Sequence, residues 1–151
     1  MAAETYPLMT LFGRTLSFLS IEFELRLKRY GMKITSGEFV LLYRLSSMQS
    51  DKITQQNFAT LLGKHKSVIL RQIDVLEAKN LVARMADETD KRKNIISLTK
   101  KGRETLDKVL QIEAEMMHQM TVGIDDDAIE SLKQTAWKIQ ENALGLRAKS
   151  K

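Results

Sequence analysis

The sequence contains no cysteine and only one proline, and each scarcity excludes something. Without cysteine the chain has no disulfide, no thiolate metal ligand and no thiol redox switch. Pro7 is the sole proline, so little interrupts helix formation after it. The chain also lacks an apolar run of the roughly 18 residues that a membrane-spanning helix needs. These absences favour a mainly helical globular protein.

The N-terminal segment lacks the basic start and unbroken apolar block that a secretory signal requires. The 151 residues are 43% hydrophobic and 28% charged, as is usual for one globular domain. We therefore expect a single domain, residues 1–151, located in the cytoplasm.

Motifs that would mark an enzyme are missing as well. The sequence has two histidines, and neither a Gly-rich phosphate loop nor a nucleophile elbow occurs. Glu115 and His118 form one E-x-x-H pair of the kind that di-iron bundles repeat on several helices. The methionines beside this pair are more typical of core packing. We expect no enzymatic activity, no metal site and no cofactor.

Positive charge is concentrated in the middle of the chain. Residues 52–103 hold twelve Lys and Arg against five Asp and Glu, and the remainder holds twelve against fourteen. A run of charge is often only a solvated surface. However, a compact basic segment within a chain of net charge +5 is also typical of a protein that binds a polyanion such as DNA.

The apolar periodicity predicts six helices and one β-hairpin. The helices are predicted to begin near Pro7, Thr35, Thr54, His65, Thr99 and Asp125 or Asp126. Residues 81–87 and 94–99 alternate as strands do, and the link between them is basic. The first helix carries apolar residues on two faces, which predicts burial on more than one side. The last helix has apolar residues spaced by three and four, which predicts lengthwise packing on another helix.

This order of elements is that of a winged helix-turn-helix between long terminal helices. From Gly31 to Gly102 the sequence resembles the MarR family of transcriptional regulators. The resemblance is carried by GMKITSGEFVLLYRL, TQQNFATLLGKHKSVILRQIDVLEAKNLV and DKRKNIISLTKKG, the last with D-x-R and L-T-x-x-G signatures. It implies a mainly α fold with a small β-hairpin wing. The winged helix-turn-helix lobe would span about 35–102, flanked by helical dimerisation regions at about 7–31 and 103–147.

Four positions depart from the family pattern. Asn80 stands where the family usually has glycine, and asparagine tolerates the left-handed conformation of a helix end. His65 replaces a better N-cap, which predicts a less firm start to the recognition helix. Val68 and Leu70 replace hydroxyl residues, so the family's usual base contacts do not carry over there.

The resemblance and the residue chemistry nominate a DNA-binding surface. An aliphatic side chain in the major groove can contact the thymine methyl, while Arg71 and Lys66 can reach guanine or phosphate. In the wing, Arg92 resembles the family's arginine that enters a minor groove, with Asp90 orienting it. The predicted contacts are Lys66, Ser67, Val68, Leu70 and Arg71 in the recognition helix, Asp90, Lys91, Arg92 and Lys93 in the wing, and Thr54 and Lys64 at the DNA backbone.

The sequence thus predicts a DNA-binding regulator, a ligand-responsive repressor by family resemblance. It would act as a homodimer on a pseudo-palindromic operator, with Leu132, Ile139 and Leu146 in the dimer contact. The alternative is a winged-helix module that binds protein through an apolar patch of Val68 and Leu70. Two further alternatives are that Leu70 packs inside the lobe and that the hairpin tip is merely solvated. The resemblance implies a small, often aromatic or phenolic effector, but no residue identifies the effector, the operator or the regulated genes.

Overall fold

The computed structural model describes residues 6–48, 53–54, 58, 65–86 and 94–149. In these ranges it contains five helices and one antiparallel pair of strands, which confirms the predicted fold class. The elements are α1 (Leu8–Arg29), α2 (Ser36–Ser47), α3 (Lys66–Ala78), β1 (Val82–Ala86), β2 (Asn94–Leu98), α4 (Lys100–Met120) and α5 (Asp126–Lys149). Of the helix predicted after Thr54, Phe58 is helical and its amide donates to the Thr54 carbonyl at 3.0 Å. The rest of that helix lies outside the described residues.

Side-chain caps start α2 and α4 at the predicted residues. The Thr35 hydroxyl accepts from the Glu38 amide at 3.2 Å, and the Glu38 carboxylate accepts from the Thr35 amide at 2.8 Å. This reciprocal pair is the predicted capping box of α2. The Thr99 hydroxyl likewise accepts from the Gly102 amide at 2.9 Å at the start of α4. Each bond satisfies an amide that the first turn of a helix leaves without a partner.

Left-handed residues end two of the helices. Gly31 follows α1 with φ 68°, and Asn80 follows α3 with φ 57°. Asparagine therefore takes the conformation for which the family uses glycine, as the sequence predicted. At the start of α5, the Asp125 carboxylate accepts from the Asp127 amide at 2.9 Å.

The described chain divides into two compact units, the first ending at Glu115 and the second beginning at Met116. The first unit has an apolar core to which every element of the winged lobe contributes, β2 through the buried Ile96. Its fully buried side chains are Phe58, Leu27, Leu41, Leu42, Ile69, Ile73, Leu76, Val82 and Val109. Within this unit the Tyr30 hydroxyl donates to the Glu115 carboxylate at 3.0 Å, and that bond raises the pKa of Tyr30.

The prediction that α1 is buried on two faces is wrong for the single chain. Phe23 and Leu27 are buried, and the Phe23 ring meets the Phe39 ring of α2 edge-on at 5.3 Å. Leu16 and Phe18 are instead 65% and 63% exposed. Burial of an amphipathic face requires a second surface to cover it, and the ring contact with α2 lies in the C-terminal half of α1. None of the described helices is long and apolar enough to cross a bilayer.

Candidate nucleic-acid interface

The inward stripe of α3 fixes the orientation of this helix. Ile69, Ile73 and Leu76 are fully buried, as their spacing predicted. At the N-terminus the His65 ring nitrogen lies 2.8 Å from the Ser67 hydroxyl and accepts from the Ser67 amide at 3.5 Å. The amide contact is long for a helix cap, and it is made by a ring in place of a carboxylate or hydroxyl.

Opposite the buried stripe, α3 presents a mixed face to solvent. Ser67 and Arg71 are exposed, and Val68 is 47% exposed. Val75 is exposed too, and it lies seven residues, or about two turns, after Val68 on the same face. We call Ser67, Val68, Arg71 and Val75 the outward face of α3. Val75 was not among the residues predicted from the sequence, although its i+7 spacing from Val68 was available as a signal.

Val68 and Leu70 do not share a surface. Two residues along a helix correspond to a rotation of about 200°, so their side chains leave opposite flanks of α3. Leu70 is partly buried, whereas Val68 belongs to the outward face. The hypothesis of a single apolar docking patch made of both residues therefore has no geometric basis.

Arg84 of β1 neutralises the acidic residues of α3. Its guanidinium lies 2.5 Å from the Asp74 carboxylate and 2.5 Å from the Glu77 carboxylate. The Arg84 amide also donates to Glu77 at 3.3 Å. This pairing joins the hairpin to α3 and offsets the two carboxylates that would otherwise repel DNA phosphates.

The C-terminal end of α3 is held by α2 and α4. The Lys79 ammonium lies 2.6 and 2.8 Å from the two carboxylate oxygens of Glu38, which is 7% exposed. The Lys101 ammonium donates to the Lys79 carbonyl at 2.9 Å, and the Thr99 hydroxyl donates to the Asn80 carbonyl at 2.7 Å. Since Glu38 also completes the α2 capping box, one carboxylate ties the start of α2 to the end of α3.

The hairpin pairs Val82 with Leu98 at its base and Ala86 with Asn94 at the end nearer the tip. The predicted wing contacts Asp90, Lys91, Arg92 and Lys93 fall between Ala86 and Asn94, outside the described residues. Lys64 and the side chain of Lys66 lie outside them as well.

Thr54 lies beside the hairpin and pairs with Ile95 in an isolated bridge. The neighbouring Ile53 carbonyl accepts from the Ile96 amide at 2.9 Å. Thr54 is partly buried, and its proposed contact to the DNA backbone stays a prediction.

The family model described as MarR family matches residues 34–93, which include α2, α3 and β1. This match confirms the resemblance of the sequence to the MarR family. MarR-family proteins are transcriptional regulators that bind DNA and are not enzymes.

Solved structures share the MarR fold over most of the chain. The S. aureus MepR–DNA complex is 23% identical, with a TM-score of 0.77 over 91% of this chain and 98% of that one. The transcriptional repressor CouR bound to a 23-mer DNA duplex is 24% identical, with a TM-score of 0.79 over 89% and 92%. The regulator BldR from Sulfolobus solfataricus is 26% identical, with a TM-score of 0.76 over 89% and 93%.

The MarR signature L-T-x-x-G has a steric explanation in this structure. A Cβ atom on Gly102 would lie 1.9 Å from the Leu81 carbonyl oxygen. The same oxygen accepts from the Thr99 amide at 3.1 Å. The absence of a side chain at Gly102 therefore lets the first turn of α4 lie against the residue that links α3 to β1.

Proposed function

We propose that the protein is a homodimeric, ligand-responsive transcriptional repressor that binds a pseudo-palindromic operator in the cytoplasm. The observation that carries the proposal is the outward face of α3 in a MarR-family domain. On that face Arg71 and Ser67 offer hydrogen-bond donors, and Val68 offers methyl groups. An exposed helix of this chemistry fits the major groove, whose base edges present acceptors and the thymine methyl.

DNA as the partner is supported by the solved structures and by charge. The MepR and CouR structures of the same fold contain DNA. The surplus of Lys and Arg in residues 52–103 coincides with the winged lobe of this chain. Because phosphate contacts release counterions, affinity for DNA should fall steeply as salt rises. A protein-docking surface of exposed valines would respond only weakly to salt.

Dimerisation is supported by the apolar side chains that the single chain leaves in solvent. On α5, Leu132 is 53% exposed and Leu146 is 68% exposed, although their spacing is that of a packed helix. The N-terminal half of α1 is similarly uncovered, with Leu16 and Phe18 exposed. A two-fold dimer would cover such surfaces and present two recognition helices to a palindromic site.

Selection of bound sequences from a random DNA duplex pool tests this function most directly. We expect enrichment of a two-fold symmetric site whose half-sites lie about 10 base pairs, or one helical turn, apart. Failure to enrich any sequence, together with DNA affinity that does not change with salt, would favour a protein-binding module.

Contacts to phosphate and contacts to bases should separate on mutation. Neutralising Lys64, Lys91 or Lys93 with glutamine should weaken binding to all DNA sequences and reduce the salt slope by about one for each contact removed. Arg92→Ala should weaken operator binding further, because an arginine in a narrow minor groove meets enhanced negative potential. Fluorescence anisotropy at several salt concentrations measures both quantities. Lys133→Gln on α5 is the matched control and should change neither.

The thymine-methyl hypothesis can be tested on Val68 and Leu70 without changing charge. Replacing each operator thymine with uracil removes only the methyl group, so the wild type should bind this operator more weakly. If Val68 makes the contact, Val68→Ala should bind the thymine and uracil operators with equal affinity. Comparing the two operators with Leu70→Ala tests Leu70 in the same way. Equal affinity of the wild type for both operators would leave Ser67, Lys66 and Arg71 to read the bases.

Stability provides the control for this experiment. Val68→Ala should change the free energy of unfolding by less than about 0.5 kcal/mol, since the side chain is exposed. Ile69→Ala, one residue on, should cost about 2 to 5 kcal/mol because Ile69 is fully buried. Chemical denaturation of both variants shows whether a loss of operator affinity reflects recognition or unfolding.

A further inference from the structure

A cavity of about 460 Å³ lies in the first unit beside the C-terminal end of α3. Its walls are residues 31–34 after α1, residues 78–81 at the end of α3, and three residues of the first turns of α4. Four of the lining residues are lysines, and none is acidic or aromatic. The lysines are Lys33, Lys79, Lys101 and Lys108. We call this cavity the lysine pocket.

Structural roles account for two of these lysines but not for the other two. Lys79 pairs with Glu38, and Lys101 donates to the Lys79 carbonyl. Both ammonium groups lie at the C-terminal end of α3, where positive charge interacts favourably with the negative end of the helix dipole. Lys33 and Lys108 make no hydrogen bond or ion pair to any residue that the structure describes. Two like charges lining one cavity repel each other, and an anion between them would relieve that repulsion.

The rest of the lining favours an organic ion over a bare inorganic one. Ile34 and Leu81 are buried aliphatic residues, and Met32 and Ala78 add further apolar surface. A short aliphatic body would fit against these side chains while its charged groups meet the ammonium groups. An aromatic ring would find no aromatic side chain to stack on, so the chemistry differs from the phenolic ligand that the sequence resemblance implies.

We propose that the lysine pocket binds a small organic dianion and that its occupancy lowers the affinity of the protein for DNA. The second half of this inference rests on the proposed DNA-binding function. The pocket shares Lys79 with the anchor of α3. A bound dianion competes with Glu38 for the Lys79 ammonium and leaves a nearly buried carboxylate with a weaker partner. Ser67 and Arg71 lie about 16.5 Å and 10.5 Å along the helix axis from Ala78, the last residue of α3, so a small change of tilt displaces the outward face.

Adipate, a six-carbon dicarboxylate, is a suitable probe, and adipamide is its neutral counterpart of the same shape. Isothermal titration calorimetry on the full chain should show saturable adipate binding below about 10 mM and none for adipamide. In amide NMR spectra the shifts should centre on Gly31, Lys79 and Asn80. The double variant Lys33→Gln, Lys108→Gln should weaken adipate binding at least about tenfold, the equivalent of about 1.4 kcal/mol.

The control variant Lys133→Gln, Lys138→Gln removes the same charge from α5 and should keep adipate affinity within about twofold of the wild type. Saturating adipate should also weaken operator binding by the wild type and leave that of the pocket variant unchanged. Equal adipate affinity of both double variants, or no saturable binding, would overturn the proposed site. Adipate binding that leaves operator affinity unchanged would overturn the coupling. If no DNA sequence is bound even without adipate, the proposed function fails, while calorimetry still decides the site.

Discussion

Gly102→Ala should strongly destabilise the winged lobe. The new Cβ would lie 1.9 Å from the Leu81 carbonyl oxygen, a contact that side-chain rotation cannot relieve because both atoms are fixed to backbone. The start of α4 or the α3–β1 link must shift, which breaks the bonds of Thr99 to Leu81 and Asn80. The free energy of unfolding should fall by at least about 3 kcal/mol, which corresponds to roughly 10 °C in Tm. Thermal unfolding followed by circular dichroism measures this change.

Gly37→Ala is the matched control for this prediction. Gly37 also lies in the first turn of a helix in the same lobe, but a Cβ there meets no atom closer than 3.9 Å. Alanine should therefore be neutral or stabilise by up to about 1 kcal/mol, because it restricts the unfolded chain. Both variants must be compared at one protein concentration, since dimerisation adds to apparent stability. Equal melting temperatures for the two variants would contradict a steric role for the missing side chain at Gly102.

The double variant Leu132→Asp, Ile139→Asp should be monomeric and should lose operator binding. These side chains are 53% and 41% exposed in the single chain, so aspartate there costs little in the monomer. In a dimer the same carboxylates would be buried without partners, a penalty of several kcal/mol for each one. Sedimentation equilibrium at micromolar concentration measures the assembly, and fluorescence anisotropy measures operator binding.

A charge-matched control separates the dimer effect from simple electrostatics. Gln134→Asp with Lys138→Gln also lowers the net charge by two, but both positions lie on the polar side of α5. This variant should stay dimeric and retain operator binding apart from a modest electrostatic loss. A monomeric wild type at micromolar concentration would contradict the proposed assembly directly.

Local chemistry made most of the fold predictable. The Thr35 and Glu38 capping box, the Thr99 cap and the left-handed Asn80 involve neighbours in sequence, so the residues alone carry the information. Burial was harder to predict, because it depends on what covers a face. The two apolar faces of α1 were identified correctly, but the single chain covers only the part near Phe23.

In the candidate site, too, features set by neighbours in sequence were predictable, whereas features set by tertiary packing were not. The buried stripe of α3 followed from its periodicity, whereas the pairing of Arg84 with Asp74 joins a helix to a strand and depends on tertiary geometry. The lysine pocket likewise draws Lys33, Lys79 and Lys108 from three distant segments. Periodicity within one segment gives no information about such a convergence.

The outward face of α3 bears on how this regulator could acquire new target genes. Ser67, Val68, Arg71 and Val75 point away from the stripe that holds the helix in the core. Substitutions at such exposed positions usually change stability by no more than about 0.5 kcal/mol. Under the proposed function, operator preference can therefore diverge through these four positions while the fold remains under separate selection. The same four positions are then the ones to randomise when retargeting the protein to a new DNA sequence.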